Sequence, residues 1–223
     1  MSLVVVVVGA GSGSRYGGDK LAERLGSETV LERSIRALSE ACPTAPTVVV
    51  LSGARLAHWQ PCLETCRPGV VLVEGGDRRQ DSVRLGVAAA AGRGAEVVVI
   101  HDAARPLVHP ADVVATVAAI EDAEASILCG RVVDTVKRVD PGGRVVETLD
   151  RDRLRLAQTP QVFRIRALER AWEACDWHRL WTDEASMLEA LGLRVRTVLA
   201  RFPNPKITTP ADLLVARALL AEG

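Results

Sequence analysis

Apolar residues follow two spacings that alternate along this chain. Unbroken aliphatic, largely β-branched runs occur at residues 3–8, 47–51, 70–73 and 96–100. Continuous runs of this kind, rather than one-in-two alternation, are what strands buried on both faces of a parallel sheet require. Between them, apolar positions recur at helical intervals, as at Val30, Leu31, Ile35 and Leu38. That spacing predicts helices over residues 29–41, 55–66 and 82–91, the last capped by Asp81 or Ser82. His109-Pro110 opens a further helix with proline in its first turn. The order predicts right-handed crossovers and an α/β fold: a Rossmann-like, mostly parallel twisted sheet with helices on both faces.

The pattern changes in the middle of the chain. Residues 126–129 form another apolar strand, and residues 132–139 alternate apolar with polar. Asp140-Pro141-Gly142-Gly143 is a strong turn signal, answered by residues 144–149. This predicts a protruding β-hairpin arm at about residues 132–150. A two-stranded arm is marginally stable alone, so it is expected to pack against a second subunit in a homodimer. Residues 165–175 and 183–191 then read as helices and residues 193–199 as a strand. Thr209-Pro210-Ala211-Asp212 starts the last helix with a threonine cap and an early carboxylate. Without repeat or linker, residues 1–223 are expected to form one domain.

Composition narrows the partners. Lys and Arg number 28 against 28 for Asp and Glu, which argues against a broad nucleic-acid or membrane surface. No apolar run approaches the ~20 residues that span a bilayer. The N-terminal run is short and has no preceding Lys or Arg, so it reads as the first strand of a cytoplasmic protein. The five cysteines form no Cys-x-x-Cys pair, and Cys62 and Cys66 are expected on one helical face. Their odd number fits reduced, structural thiols. Only three lysines occur, Lys20, Lys137 and Lys206, in a chain that otherwise uses arginine.

Candidate chemistry begins after the first strand, at Gly9-Ala10-Gly11-Ser12-Gly13-Ser14-Arg15, with Lys20 soon after. A glycine turn lets backbone N–H groups approach an anion, and the two cations add fixed charge: the layout of a polyphosphate grip. A dinucleotide fingerprint does not fit, because Ser14 stands where its third glycine belongs and the second strand ends in Ser52-Gly53 with no carboxylate. A Walker loop does not fit either, since Leu21 rather than a hydroxyl residue follows Lys20. Ligands of open α/β sheets bind beyond the carboxyl ends of strands. Two more loops fall there: Glu74-Gly75-Gly76-Asp77-Arg78-Arg79-Gln80-Asp81-Ser82 and His101-Asp102-Ala103-Ala104-Arg105-Pro106.

With these come Asp134-Thr135, Asp150-Arg151, Thr159-Pro160-Gln161, Thr182-Asp183-Glu184-Ala185-Ser186 and Asn204-Pro205-Lys206-Ile207-Thr208. In this order the set resembles the 2-C-methyl-D-erythritol 4-phosphate cytidylyltransferases of the non-mevalonate isoprenoid pathway over nearly the whole chain. The resemblance implies a nucleotidyltransferase-type fold and a reaction in which a polyol phosphate attacks the α-phosphorus of CTP and pyrophosphate leaves. It implies that Arg15, Lys20, Arg151 and Lys206 are catalytic cations. Ala10, Gly11, Gly76, Asp77, Ser82 and Ala103 would line the cytidine pocket. Asp102, Arg105, Thr135, Thr159 and Thr182 would read the polyol phosphate, with Thr135 and Arg151 reaching in from the partner's arm. Magnesium is expected as cofactor, held mainly by the CTP phosphates, with no dedicated protein metal ligands.

One departure stands out: the loop from Arg15 to Lys20 is shorter than the family's, and Asp19 replaces a common proline. Three rivals remain. One is a cytidylyltransferase for ribitol 5-phosphate, another a non-catalytic nucleotide-binding module. The third, a nicotinamide oxidoreductase, is disfavoured by the missing glycine and carboxylate.

Overall fold

The computed structural model describes residues 2–221 except Ser12, Ser14, Arg67 and Pro68; of Glu64, Thr65 and Cys66 only the backbone is described. Its centre is a seven-stranded sheet. Along the chain come β1 (Leu3–Val8), the short pair β2 (Arg24–Leu25) and β3 (Glu28–Thr29), α1 (Val30–Ala41), β4 (Thr47–Leu51), α2 (Gly53–Cys66), β5 (Val71–Glu74) and α3 (Arg79–Ala91). Then follow β6 (Val97–Asp102), α4 (Pro110–Ala118), β7 (Ala125–Arg131), β8 (Lys137–Val139), β9 (Val145–Thr148) and a 3₁₀ turn at Arg151–Arg153. The chain ends with β10 (Arg155–Arg164), α5 (Ile165–Ala174), α6 (Glu184–Ala190), β11 (Val195–Leu199) and α7 (Pro210–Ala221). The sheet order is β11-β7-β10-β6-β1-β4-β5.

Three of the four apolar runs form the adjacent strands β6, β1 and β4, and the fourth, β5, lies beside them at the sheet edge. Val5 and Val7 of β1 pack with residues of α1, α4 and α7, while Val4, Val6 and Val8 pack on the other face with α3, α5 and α6. β1, β4 and β6 therefore bury both faces, as their unbroken pattern requires, whereas β5 at the sheet edge is only partly buried. β1 pairs in parallel with β4 and β6, and β5 with β4. The mostly parallel α/β architecture expected above is the one observed.

Several boundaries differ from the sequence reading. α3 starts at Arg79 rather than at residue 82, because Asp81 at its third position accepts from the Arg78 backbone N–H and pairs with the Arg78 guanidinium. His109 is the N-cap of α4, its Nδ1 accepting from Ala111 N at 3.1 Å. The larger difference is β10. This ten-residue strand lies antiparallel between β6 and β7, with a bulge between Ala157 and Gln161. Residues 137–139 and 145–148 form the hairpin at the predicted place, as a separate two-stranded sheet. Among the described residues no helix is long and apolar enough to cross a membrane.

Candidate active site

Loops from the carboxyl ends of β1, β5 and β6 meet at one rim. Each continues the pairing of its sheet by one residue: Gly9 N donates to Val50 O, Gly75 N to Leu51 O and Ala103 N to Val8 O, all within 2.9 Å. At Gly75 a methyl group would collide with the Ala10 methyl and the Ser82 hydroxyl. The glycine lets the two loops touch, as a side chain would not. The stretch before α7 joins the rim through Ile207 N, which donates to Ala104 O at 2.8 Å, and through Arg105 Nη1, which donates to Asn204 O at 2.7 Å.

The cations gather around Asp102. Lys206 Nζ donates to Asp102 Oδ2 at 2.7 Å, Arg79 Nε to Oδ1 at 3.3 Å, and Arg105 Nε lies 3.9 Å from Oδ2. Burial opposes ionisation of Asp102, but Arg79, Lys206 and Arg105 outweigh it and hold the carboxyl well below the usual range. Lys20 Nζ donates to Ile207 O at 2.9 Å. Its ammonium is pushed below the ordinary lysine range by burial first, then by the charge of Lys206, with Asp102 opposing and Arg15 and Arg55 adding to the depression. Lys20, Lys206, Arg79 and Arg105 thus gather around Asp102 with more positive than negative charge, and exposed Arg15 is near enough for its charge to act on Lys20. An anion entering this cluster would relieve that repulsion.

A second layer orients the first. His101 is fully buried, with Nε2 3.1 Å from Arg105 O and Nδ1 3.1 Å from Thr159 Oγ1. A carbonyl only accepts, so Nε2 carries the proton and Nδ1 accepts from the threonine hydroxyl. Thr159 Oγ1 in turn accepts from Asp102 N at 3.0 Å. Burial is the main reason the His101 pKa falls to about 4, so the ring is neutral. Thr159, expected to read the polyol, is instead buried beneath Asp102 with its hydroxyl engaged. Asn204 Nδ2 donates to Thr159 O at 2.8 Å, tying the Lys206 segment to the same strand. Arg79 is held from its other side by a fork onto Glu184 at 2.7 and 3.0 Å.

The departure at Asp19 has a partner. Asp19 Oδ1 lies 3.0 Å from Arg55 Nε and accepts from Leu21 N at 3.2 Å. Arg55 also donates from Nη1 to Gly9 O at 3.0 Å and to Gly11 O at 2.6 Å. Arg55 carried no role in the sequence reading.

Other expected residues divide by location. Gly76 and exposed Asp77 lie on the loop beside Ala10, and Ser82 is buried with its hydroxyl donating toward Gly76 O and Arg78 O. Ala103 is fully buried and its carbonyl accepts from Ser34 Oγ at 2.8 Å, so it floors the rim rather than facing a ligand with its side chain. Thr182 is exposed at the end of a tryptophan-bearing strap over the start of α3, where Arg78 Nη1 donates to Trp177 O and Trp177 Nε1 to Asp81 Oδ1. Thr135 and Arg151 stand apart on the arm, exposed, with Arg151 Nη1 donating to Val133 O at 2.6 Å. Among the described residues no hydrogen bond or ion pair ties either to the Asp102 cluster.

The missed residues, Arg55, Arg79, His101, Glu184 and Asn204, are those whose partners lie far along the chain. A buried carboxylate needing counter-ions was the one available signal for Arg79. Among the described residues no group of three or more His, Cys, Asp or Glu side chains is placed to hold a metal ion. Burial raises the Cys42 thiol, and chiefly burial raises Cys129 to about 11, so neither is an activated nucleophile. Cys62 Sγ lies 3.4 Å from Glu32 Oε1, and the Cys66 side chain is outside the described residues.

Comparison with known proteins adds the following. Residues 3–222 match the family model described as IspD: 2-C-methyl-D-erythritol 4-phosphate cytidylyltransferase. A curated relative of that name from Rhodococcus opacus is 38% identical, covering 99% of this chain and 96% of its own. A solved 4-diphosphocytidyl-2C-methyl-D-erythritol synthase from Anaerococcus prevotii superposes with a TM-score of 0.87 at 26% identity, covering 99% of this chain and 98% of that one. The Francisella tularensis 2-C-methyl-D-erythritol 4-phosphate cytidylyltransferase gives 0.80 at 31% identity, covering 98% and 100%.

Proposed function

This chain belongs to the 2-C-methyl-D-erythritol 4-phosphate cytidylyltransferase family, and on that premise we propose that it joins CTP to 2-C-methyl-D-erythritol 4-phosphate. The products are 4-diphosphocytidyl-2-C-methyl-D-erythritol and pyrophosphate. The observation that carries this reading is the excess of positive charge where Lys20 and Lys206 crowd at the rim.

The reaction forms one P–O bond and breaks another. An oxygen of the substrate phosphate attacks the α-phosphorus of CTP in line, and pyrophosphate departs with the bonding pair. A phosphate monoester has its second pKa near ~6, so the attacking oxygen is already ionised at neutral pH and no general base is needed. Neutral, buried His101 fits such a mechanism, since it has no proton-transfer task. Catalysis then reduces to holding anions in register and stabilising charge on the phosphorus and leaving group. Arg15 and Lys20 take the triphosphate, and Lys206 takes the α-phosphate or the incoming phosphate. Ala10, Gly11, Gly76, Asp77, Ser82 and Ala103 shape the cytidine side.

Asp102 accepts from polyol hydroxyls, with Arg105 and Thr182 beside it and Thr159 as its support. Thr135 and Arg151 complete the site from a partner's arm. Exposed Val133, Val139, Val145 and Val146 on that arm favour a covered, homodimeric state. Asp102 and Asp19 at the rim are already paired, so a magnesium ion would travel on the CTP phosphates and screen their charge. The 223 residues work as one nucleotidyltransferase domain, with the arm at about 132–150, in the cytoplasm.

The test is pyrophosphate release by the purified protein with Mg-CTP and each polyol phosphate in turn. Turnover with 2-C-methyl-D-erythritol 4-phosphate, and little with ribitol 5-phosphate, is expected. CTP binding without turnover on either polyol phosphate would overturn the reading in favour of a nucleotide-binding module. Sedimentation as a stable monomer would remove the partner's arm from it.

A further inference from the structure

The turn after β1 is fastened at both ends by one side chain. Arg55, in the first turn of α2, has a side chain only 12% exposed. Its Nη1 reaches the carbonyls of Gly9 and Gly11, and its Nε reaches the Asp19 carboxylate. The guanidinium is a rigid planar fork, and its charge-assisted bonds are stronger than neutral ones. Between its two points of attachment lies Arg15, and immediately after the second comes Lys20.

This geometry has two consequences for an arriving triphosphate. A peptide is planar, with C=O and the next N–H on opposite edges. Turning Gly9 O onto Arg55 therefore aims the Ala10 N–H away from it. Among the described residues neither Ala10 N nor Gly11 N donates to a protein acceptor. Donors are thus left for a phosphate while the repelling carbonyl oxygens are occupied. The second consequence concerns charge. Asp19 stands next to Lys20 in a site that must accept a polyanion, and a free carboxylate there would repel it. Paired with Arg55, it instead accepts from Leu21 N and shapes the turn that presents Lys20.

We propose that Arg55 and Asp19 are a positioning pair for the phosphate-binding turn: Arg55 aims its N–H groups and neutralises Asp19. The pair rests on the CTP reading above. It touches no reacting atom, and its effect runs through Ala10, Gly11 and Lys20.

The test measures Mg-CTP affinity by calorimetry, together with steady-state constants, for the full chain and for Arg55→Ala, Arg55→Lys, and Arg55→Ala with Asp19→Ala. Loss of charge-assisted bonds at Arg55 should weaken CTP binding about tenfold or more. The KM for the polyol phosphate should stay within about twofold, and Arg55→Lys, lacking the fork, should rescue only part of the loss. Adding Asp19→Ala should recover some CTP affinity, because it removes the carboxylate stranded beside Lys20. A merely structural role for Arg55 predicts the reverse, with the double variant worse than the single. Unchanged CTP affinity in Arg55→Ala, or a double variant weaker than the single, would overturn the pair. Wild-type protein that binds CTP but turns over no polyol phosphate would sink the proposed reaction while leaving the pair measurable.

Discussion

Lys206 Nζ lies 2.7 Å from Asp102 Oδ2, so a cation assigned to a phosphate and a carboxylate assigned to a polyol hold each other before either meets a ligand. The contact spans 104 residues of sequence. It holds the ammonium at the rim, and CTP or the polyol phosphate then competes for it. Replacing Lys206 with alanine removes charge stabilisation needed on the reacting phosphates. Turnover is expected to fall by about 10²–10³-fold, with the fold retained because Arg79 and Arg105 still face Asp102. Asp102→Asn is expected to raise the KM for the polyol phosphate more than that for CTP. Steady-state kinetics with each substrate varied in turn checks both.

Lys20 titrates among like charges. Burial and then Lys206 favour its neutral form. Bound triphosphate would favour the charged form, so the Lys20 pKa is expected to lie below the ordinary lysine range in the free protein and to rise with CTP. With only three lysines in the chain, NMR of isotopically methylated amines can follow each separately. The kcat/KM for CTP should decline on the alkaline side as Lys20 loses its proton. A Lys20 signal that titrates as an ordinary exposed amine and ignores CTP would contradict this.

The sheet was legible where strands bury both faces. Val4 to Val8 and Val97 to Ile100 are apolar at every position because both faces of the sheet are covered. β10 escaped because Gln158, Thr159, Pro160 and Gln161 interrupt any such run. Their polarity has a structural use: Thr159 supports Asp102, and Gln161 Nε2 donates to Asp183 Oδ2 at 2.8 Å at the cap of α6. A strand that floors a site breaks the pattern that would reveal it.

Residues around the site were legible when local sequence carried the chemistry. Arg15, Lys20 and Lys206 stand in loops marked by glycine, proline or a strand end. Arg55 and His101 act through carbonyls and hydroxyls of other segments, and spacing along the chain holds no trace of such contacts. Asp19 is explained by its partner Arg55, 36 residues away.

Arg151 sits on the 3₁₀ turn that ends the arm, exposed and bonded to Val133 O. If the arm serves a partner's site, Arg151→Ala should raise the KM for the polyol phosphate with little change for CTP. Complementation gives a sharper test. Lys20→Ala and Arg151→Ala protomers should each be nearly inactive, yet a mixed dimer holds one site with both residues intact. Mixing and re-equilibrating the two variants should restore activity towards a quarter of wild type, on the order of random reassortment. Failure to restore any activity would place Arg151 in its own protomer's site.

His101 makes stability fall on mild acidification. Its pKa is about 4 in the folded protein, chiefly through burial, against about 6.5 when unfolded. Between these values the unfolded chain binds a proton that the native chain refuses, so the contribution is fully present above the unfolded value and is lost as pH falls towards about 4. The shift corresponds to roughly 3 kcal/mol. Asp102, with its depressed carboxyl, adds its own loss only at lower pH, while buried Glu184, whose carboxyl burial raises, works in the opposite sense. The difference between wild type and His101→Gln isolates the imidazole. Glutamine keeps a donor and an acceptor but does not titrate. Denaturant midpoints measured from pH 7 to 4 should fall more steeply for wild type than for His101→Gln. Parallel slopes would show that the ring is not held neutral by its burial between Thr159 and Arg105.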